Sequence, residues 1–198
     1  TADAESEPSG GHGCLDADLR WTQASVEQAV LLQGHHAPLA DLAATASAGL
    51  IAGALERILH LTVEYANQRS QFGKPIGRFQ AVQQQISVLA EHVWSVRTAA
   101  QLAFQSSDWK PRPMLAALGK ARASAAVPVA ADIAHAVHGA IGVTAEYDLQ
   151  CYTRRLREWR RAGGSETYWQ ARVGADALAA TDVAALDYVR ENLFGMVE

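Results

Sequence analysis

The stretch Phe79-Gln-Ala-Val-Gln-Gln-Gln-Ile-Ser-Val-Leu-Ala-Glu-His-Val-Trp-Ser-Val-Arg-Thr-Ala-Ala-Gln-Leu-Ala103 decides the fold. Phe79, Val82, Ile86, Leu89, Val93, Val96, Ala100 and Ala103 follow one another at alternating steps of three and four, the spacing that places side chains on one face of an α-helix. Gln80, Gln84, Ser87, Glu91 and Ser95 fall on the other side. A long helix with one continuous apolar seam needs partners of similar length to bury it.

Such partners lie on both sides in the chain. Pro38 opens a helical stretch that runs to about Gln68, with Leu39, Leu42, Ala46, Gly49, Gly53, Ile58 and Leu59 as candidates for the inward face. After the break Ser106-Ser-Asp-Trp-Lys-Pro-Arg-Pro113, an alanine-rich helix spans Met114 to about Val137, with a kink expected at Pro128 because proline cannot donate the hydrogen bond that closes its turn. His138-Gly-Ala-Ile-Gly142 ends it. Glu146 to Arg161 reads as a fourth helix, Ala162-Gly-Gly-Ser165 interrupts the chain, and Ser165 is placed to cap a fifth helix towards Ala180. Thr181 and Asp182 are candidate caps for a last short one. Long helices joined by short connections imply an all-α fold, an antiparallel four-helix bundle.

The N-terminal part differs. Residues 1–13 lack the apolar content that offsets ordering entropy and are expected to be flexible. Residues 14–35 read as a short β remnant and linker, with one or two strands between Leu19 and Leu32 carrying Trp21, Val26 and Val30. Residues 36–198 form the helical domain.

A net charge of −4 and a pI near 6.0 argue against a generic nucleic-acid or membrane-surface partner. Cys14 and Cys151 provide neither a disulfide framework nor paired metal-ligand spacing, which suggests a reducing, cytoplasmic setting. No uninterrupted apolar run approaches the about 20 residues of a membrane span, and residues 1–13 lack signal-peptide character. His135 and His138 could share a helix face but have no third ligand at a suitable spacing, so no metal is expected; His35-His36 reads as an exposed loop. The arginines from Arg154 to Arg161 read as a solvated face with internal ion pairs such as Arg154 to Glu158.

One connection carries more than a turn needs. Tyr65-Ala-Asn-Gln-Arg-Ser-Gln-Phe-Gly-Lys-Pro-Ile-Gly-Arg-Phe-Gln80 contains the Gly and Pro that break helices, and also an arginine, a glutamine and an exposed-looking phenylalanine. Together with His138-Gly-Ala-Ile-Gly-Val-Thr-Ala-Glu-Tyr147 and Tyr152-Thr-Arg-Arg155, it resembles the C-terminal helical domain of the flavin-dependent acyl-CoA dehydrogenases. The resemblance covers roughly residues 36 to 180, and Leu15 to Leu32 is similar to the last strands of that family's middle β-domain. It implies a bundle that assembles into homo- or hetero-oligomers, binds FAD and acts on an acyl-CoA. It further implies that Arg69 contacts the FAD pyrophosphate, that Phe72 packs on the cofactor and Gln80 hydrogen-bonds it, and that Gln71, Gly139 and Gly142 belong to the same binding region. Arginine is a planar, multidentate donor for phosphate oxygens, which agrees with that role.

The departures bear on catalysis. Ala136 and Ala140 stand where the family usually has Gln and a second Gly. Dehydrogenation needs a carboxylate that removes the α-proton, and the family's two positions for it fall here on Ala162 and Ala43. Glu166 is the candidate substitute, with Glu158 and Asp41 further possibilities. Two functions stay open: a dehydrogenase piece, or a catalytically silent FAD-binding subunit whose partner supplies the base.

Overall fold

The computed structural model describes residues 4–8, 17–30, 39–106, 109–181 and 183–194. Cys14, His35, His36, Pro38 and Asp182, to which the sequence assigned roles, lie outside them. The chain divides into two compact units, Thr1–Ala37 and Pro38–Glu198.

In the first unit β1 (Ala4–Pro8) pairs antiparallel with β2 (Ala17–Trp21), Ala4 opposite Trp21 and Pro8 opposite Ala17. A strand therefore stands at residues 4–8, where composition predicts flexibility: backbone pairing orders a segment that has few apolar side chains of its own. The strand reading of Leu19 to Leu32 also needs correction. Among the described residues, which end here at Val30, it holds only to Trp21, because Thr22 then caps α1 (Gln23–Glu27), its Oγ1 accepting a hydrogen bond from the Ser25 amide at 3.1 Å.

In the second unit α2 (Leu39–Gln68), α3 (Gln80–Ala103), α4 (Pro113–His138) and α5 (Leu149–Arg161) enclose the main core, in which Ile51, Leu55, Leu89, Val93, Val127 and Leu156 are buried. The seam of α3 behaves as its spacing requires from Leu89 onwards, while Phe79, Val82 and Ile86 are only half-buried. α4 continues helically through Pro128. It approaches its neighbours closely at Gly119, where a Cβ would lie 2.8 Å from the Ala103 Cβ and 3.1 Å from the Ala99 carbonyl.

On α2 the inward face is not the expected one. Ile58 is buried and Leu59 packs on the core, but Leu39, Ala46 and Gly53 are exposed, and Ala44, Ala48, Ile51 and Leu55 point inward instead. This helix is apolar almost all round, so its pattern alone does not select a face. α2 and the stretch Pro113–Val143 are also long and apolar enough to cross a membrane by length and composition, contrary to the reading from uninterrupted runs. Here a little under half of each apolar window is buried inside the bundle.

α6 (Glu166–Ala179) docks through the fully buried Trp169 against Ala44, Ala116, Ala117 and Ala121, and Arg172 reaches the buried Asp41 of α2 at 3.0 Å. α7 (Ala185–Phe194) follows. Ser165 occupies the N-cap of α6, but its side chain makes no capping hydrogen bond. α5 begins at Leu149, three residues after Glu146, and Arg154 makes no ion pair with Glu158.

Candidate cofactor cleft and the α5–α6 turn

Between α2 and α3 the chain makes a small hairpin. β3 (Ser70–Gln71) pairs with β4 (Lys74–Pro75), and Phe72 and Gly73 form the tip at φ 50° and 78°. Two consecutive positive φ values suit a tight two-residue hairpin turn, but only the glycine adopts one without steric cost. Phe72 is nonetheless kept there, 92% exposed, with its ring edge-on to Phe79 at 6.3 Å. The base of the hairpin is fixed by Ile76 N–H donating to the Arg69 carbonyl at 2.8 Å and by Gln83 Nε2 donating to the Gly77 carbonyl at 2.9 Å.

The start of this hairpin faces the end of α4 across a cleft of about 430 Å³. Arg69, Gln71 and Gly139 all line it, with Tyr65, Ala136 and His138. Among the described residues the Arg69 side chain has neither a hydrogen-bond nor an ion-pair partner, leaving all its donors for a ligand. Gly139 has φ 64°, and no atom lies within 4 Å of where its Cβ would be. Glycine is required there by backbone conformation rather than by crowding.

Tyr65, which lines the cleft, and Tyr147 behind it form an aromatic cluster around His138 that sequence reading missed, although both lie in the quoted motifs. Tyr65 stacks on His138 with ring centroids 4.5 Å apart, and Tyr147 meets the same imidazole at 5.1 Å. Their signal was a tyrosine at the edge of each motif. His138 is buried, its Nδ1 lies 2.7 Å from the Ala134 carbonyl, and burial pushes its pKa down, against the backbone of Ala134 and Leu61. The ring is thus held neutral. His135 turns elsewhere, its Nε2 3.0 Å from Thr153 Oγ1.

Phe72 and Gln80 do not line the cleft; both are exposed beside it, at the hairpin tip and the first turn of α3. Gly142 is buried, and a Cβ there would lie 3.1 Å from both His138 Cβ and Leu149 Cδ2, so in this chain it serves close packing. No group of three His, Cys, Asp or Glu suited to a metal ion occurs among the described residues.

The family model for the C-terminal domain of acyl-CoA dehydrogenase matches residues 40–179. The chain belongs to this family. The acyl-CoA dehydrogenase IpdE2 of Mycobacterium tuberculosis is 39% identical over 117 residues, 59% of this chain and 36% of the relative. Among solved structures, the ChsE4-ChsE5 complex from Mycobacterium tuberculosis superposes with a TM-score of 0.67 at 30% identity, over 73% of this chain and 40% of that one. An FAD complex of PigA does so with 0.60 at 25%, over 65% and 34%. The chain spans little more than a third of the length of such acyl-CoA dehydrogenases.

Within this acyl-CoA dehydrogenase domain, the segment between α5 and α6 is tightly built. Arg160 donates two hydrogen bonds to the Glu166 carboxylate, one at 3.0 Å, and Trp169 Nε1 donates to the Gly163 carbonyl at 3.1 Å. Lys120 of α4, with no exposed surface, donates to the Trp159 and Arg160 carbonyls and to Ser124 Oγ. Glu166 is thereby committed. The Arg160 hydrogen bonds hold its carboxyl below the usual range, which weakens it as a base at neutral pH. Ala162, at the end of α5, and Ala43, on α2, are both exposed and carry no acid–base group.

Proposed function

We propose that this chain is the C-terminal domain or subunit of a flavoprotein that dehydrogenates the α,β bond of an acyl-CoA thioester, with FAD held at an interface between related chains. The observation that carries the reading is the free Arg69 guanidinium in a cleft shared with Gln71 and Gly139. A dinucleotide pyrophosphate is the ligand such donors suit: guanidinium gives charge-assisted bonds to its oxygens, and the open Gly139 leaves room for close approach to the backbone. Phe72 offers an aromatic face and Gln80 an amide outside the cleft, so they would meet the cofactor from a neighbouring chain's side. FAD, when bound, takes the β-hydride. The resemblance to a solved two-component complex supports assembly with related chains.

A second reading has its own observation. Ala43 and Ala162 have no titratable group, and Glu166 is bound to Arg160. This favours a non-catalytic subunit that binds cofactor while a partner chain removes the α-proton.

Purification with its remaining domains or partner chains tests both. A yellow assembly whose melting temperature rises with added FAD is expected, as for any ligand that binds the native state. A colourless assembly without that rise refutes flavin binding. Turnover of an acyl-CoA by this chain's assembly without a second kind of chain refutes the silent-subunit reading.

A further inference from the structure

Lys120 is a charged side chain with no accessible surface, placed where the flavin reading gives it nothing to do. Its stem crosses from α4 to the last turn of α5, where helix carbonyls lack intrahelical partners and the macrodipole is negative. Nζ donates to the carbonyls of Trp159 and Arg160, the latter at 3.1 Å, and to Ser124 Oγ at 3.1 Å; Ser124 Oγ in turn donates to the Arg160 carbonyl at 3.2 Å. Beyond these carbonyls the backbone bends through Gly163 and Gly164, at φ 65° and 108°, and enters α6. Trp169 holds the Gly163 carbonyl and Arg160 holds Glu166, so the far side is fixed as well. Without Lys120, the Trp159 carbonyl would lose this side-chain donor and the Arg160 carbonyl would keep only Ser124.

We propose that Lys120 is the positioning residue of the α5–α6 turn: its ammonium fixes the last carbonyls of α5 and thereby sets where the residue at position 162 faces. Ala162 lies two residues beyond the Arg160 carbonyl, and its N–H still donates to the Glu158 carbonyl at 3.0 Å, so it moves with the helix end. A neutral amine keeps two N–H groups for three acceptors and loses its attraction to the helix end, so removing the proton slackens the turn. The charged groups that face it are few. Glu166 of α6 favours the charged form, and Arg160 of α5 is occupied with Glu166. Burial outweighs the Glu166 carboxylate and lowers the Lys120 pKa to about 8. The consequence for position 162 in catalysis rests on the flavoprotein reading. The readouts below need no cofactor, so a colourless protein would leave them intact.

The test is the pH dependence of the amide NMR signals of Ala162, Gly163 and Gly164 and of the Trp169 indole N–H, in the full chain between pH about 7 and about 10. In the wild type these four signals are expected to titrate together with a midpoint near 8. Lys120→Met is expected to displace them at every pH and abolish the titration. Lys120→Arg, whose guanidinium stays charged, should restore shifts close to those of the protonated wild type without a titration. If Lys120 only adds stability, Lys120→Met lowers the melting temperature and leaves the turn signals in place, and that result overturns the proposal. If Lys120→Met does not fold, Ser124→Ala removes one acceptor and one donor to Arg160; unchanged Gly163 and Gly164 signals in that variant likewise overturn it.

Discussion

The hairpin cleft and the α5–α6 turn are both polar features at helix ends, and they are built in opposite ways. Around the cleft, groups stand open: among the described residues the Arg69 side chain has no partner, Phe72 stands 92% exposed at a positive φ, and Gly139 faces open space. At the turn, the buried or part-buried donors are used internally, by Lys120 on α5 carbonyls, Arg160 on Glu166 and Trp169 on Gly163, while Arg161 points to solvent and the residue at position 162 carries only a methyl group. Free donors beside a concavity suit the ligand that the proposed function assigns to it. Saturated donors around an alanine belong to a scaffold that holds its shape and offers no proton acceptor. Under the proposed function, this difference separates binding from catalysis within one small domain.

The largest expected effect comes from giving the turn the group it lacks. If its scaffold is competent, Ala162→Glu in the flavin-loaded assembly should raise the rate of acyl-CoA dehydrogenation about 10²- to 10⁴-fold, the range of a well-placed general base. Bleaching of the flavin in single turnovers measures it, and an unchanged rate would mean that the turn does not face the reacting carbon.

On the other side of the comparison, Arg69→Ala should weaken FAD binding about 10- to 150-fold, the loss of one charge-assisted contact of about 1.5–3 kcal/mol. Fluorescence titration of the apo assembly reads this. Equal affinity in variant and wild type would turn the free guanidinium into an ordinary surface charge.

A third prediction concerns the saturated turn. Burial lowers the folded-state pKa of Lys120 from the ordinary 10.5 of a lysine to about 8. Between those values the unfolded chain binds the proton that the folded chain has released, so stability should rise with pH in that window, by about 2 kcal/mol between pH 8 and 10. Near and above the ordinary tyrosine range, the raised pKa values of Tyr147 and Tyr188 work in the opposite sense, since unfolding then releases protons. Urea denaturation at several pH values shows the rise, and Lys120→Met should remove it.

The smallest effect is at the hairpin tip. Phe72→Gly relieves an L-residue at φ 50° and should stabilise the chain by about 1 kcal/mol while weakening FAD binding. Greater stability with unchanged binding would leave the exposed ring without a task.

Much of the fold was legible because α3 has a seam on one side only: Leu89, Val93, Val96, Ala100 and Ala103 are buried as their spacing requires. Helix order and breaks followed from Pro, Gly and polar clusters. α2 resisted the same method, since a helix apolar all round has no pattern that distinguishes Ala44 and Ala48, which are buried, from Ala46 and Gly53, which are not. At the site, Arg69, Gln71 and Gly139 were placed together by motif, whereas Gly142 looked the same in sequence and proved to be a packing glycine.

The sequence by itself determined the helical periodicity and the polar hairpin between two long helices, and its family resemblance pointed to the two alanines where a carboxylate is expected. These are properties of residue type and local spacing, and each can be read within one turn of chain or one motif. Only the tertiary structure decided which face of α2 turns inward, that Tyr65 and Tyr147 enclose His138, and that Lys120 is buried against the end of α5. Those outcomes depend on contacts between residues far apart in the chain, such as Lys120 with Arg160 or Asp41 with Arg172, which form only when several helices pack at once. Local preference proposes the elements, and the cost of burying a charge or an unpaired carbonyl selects how they meet.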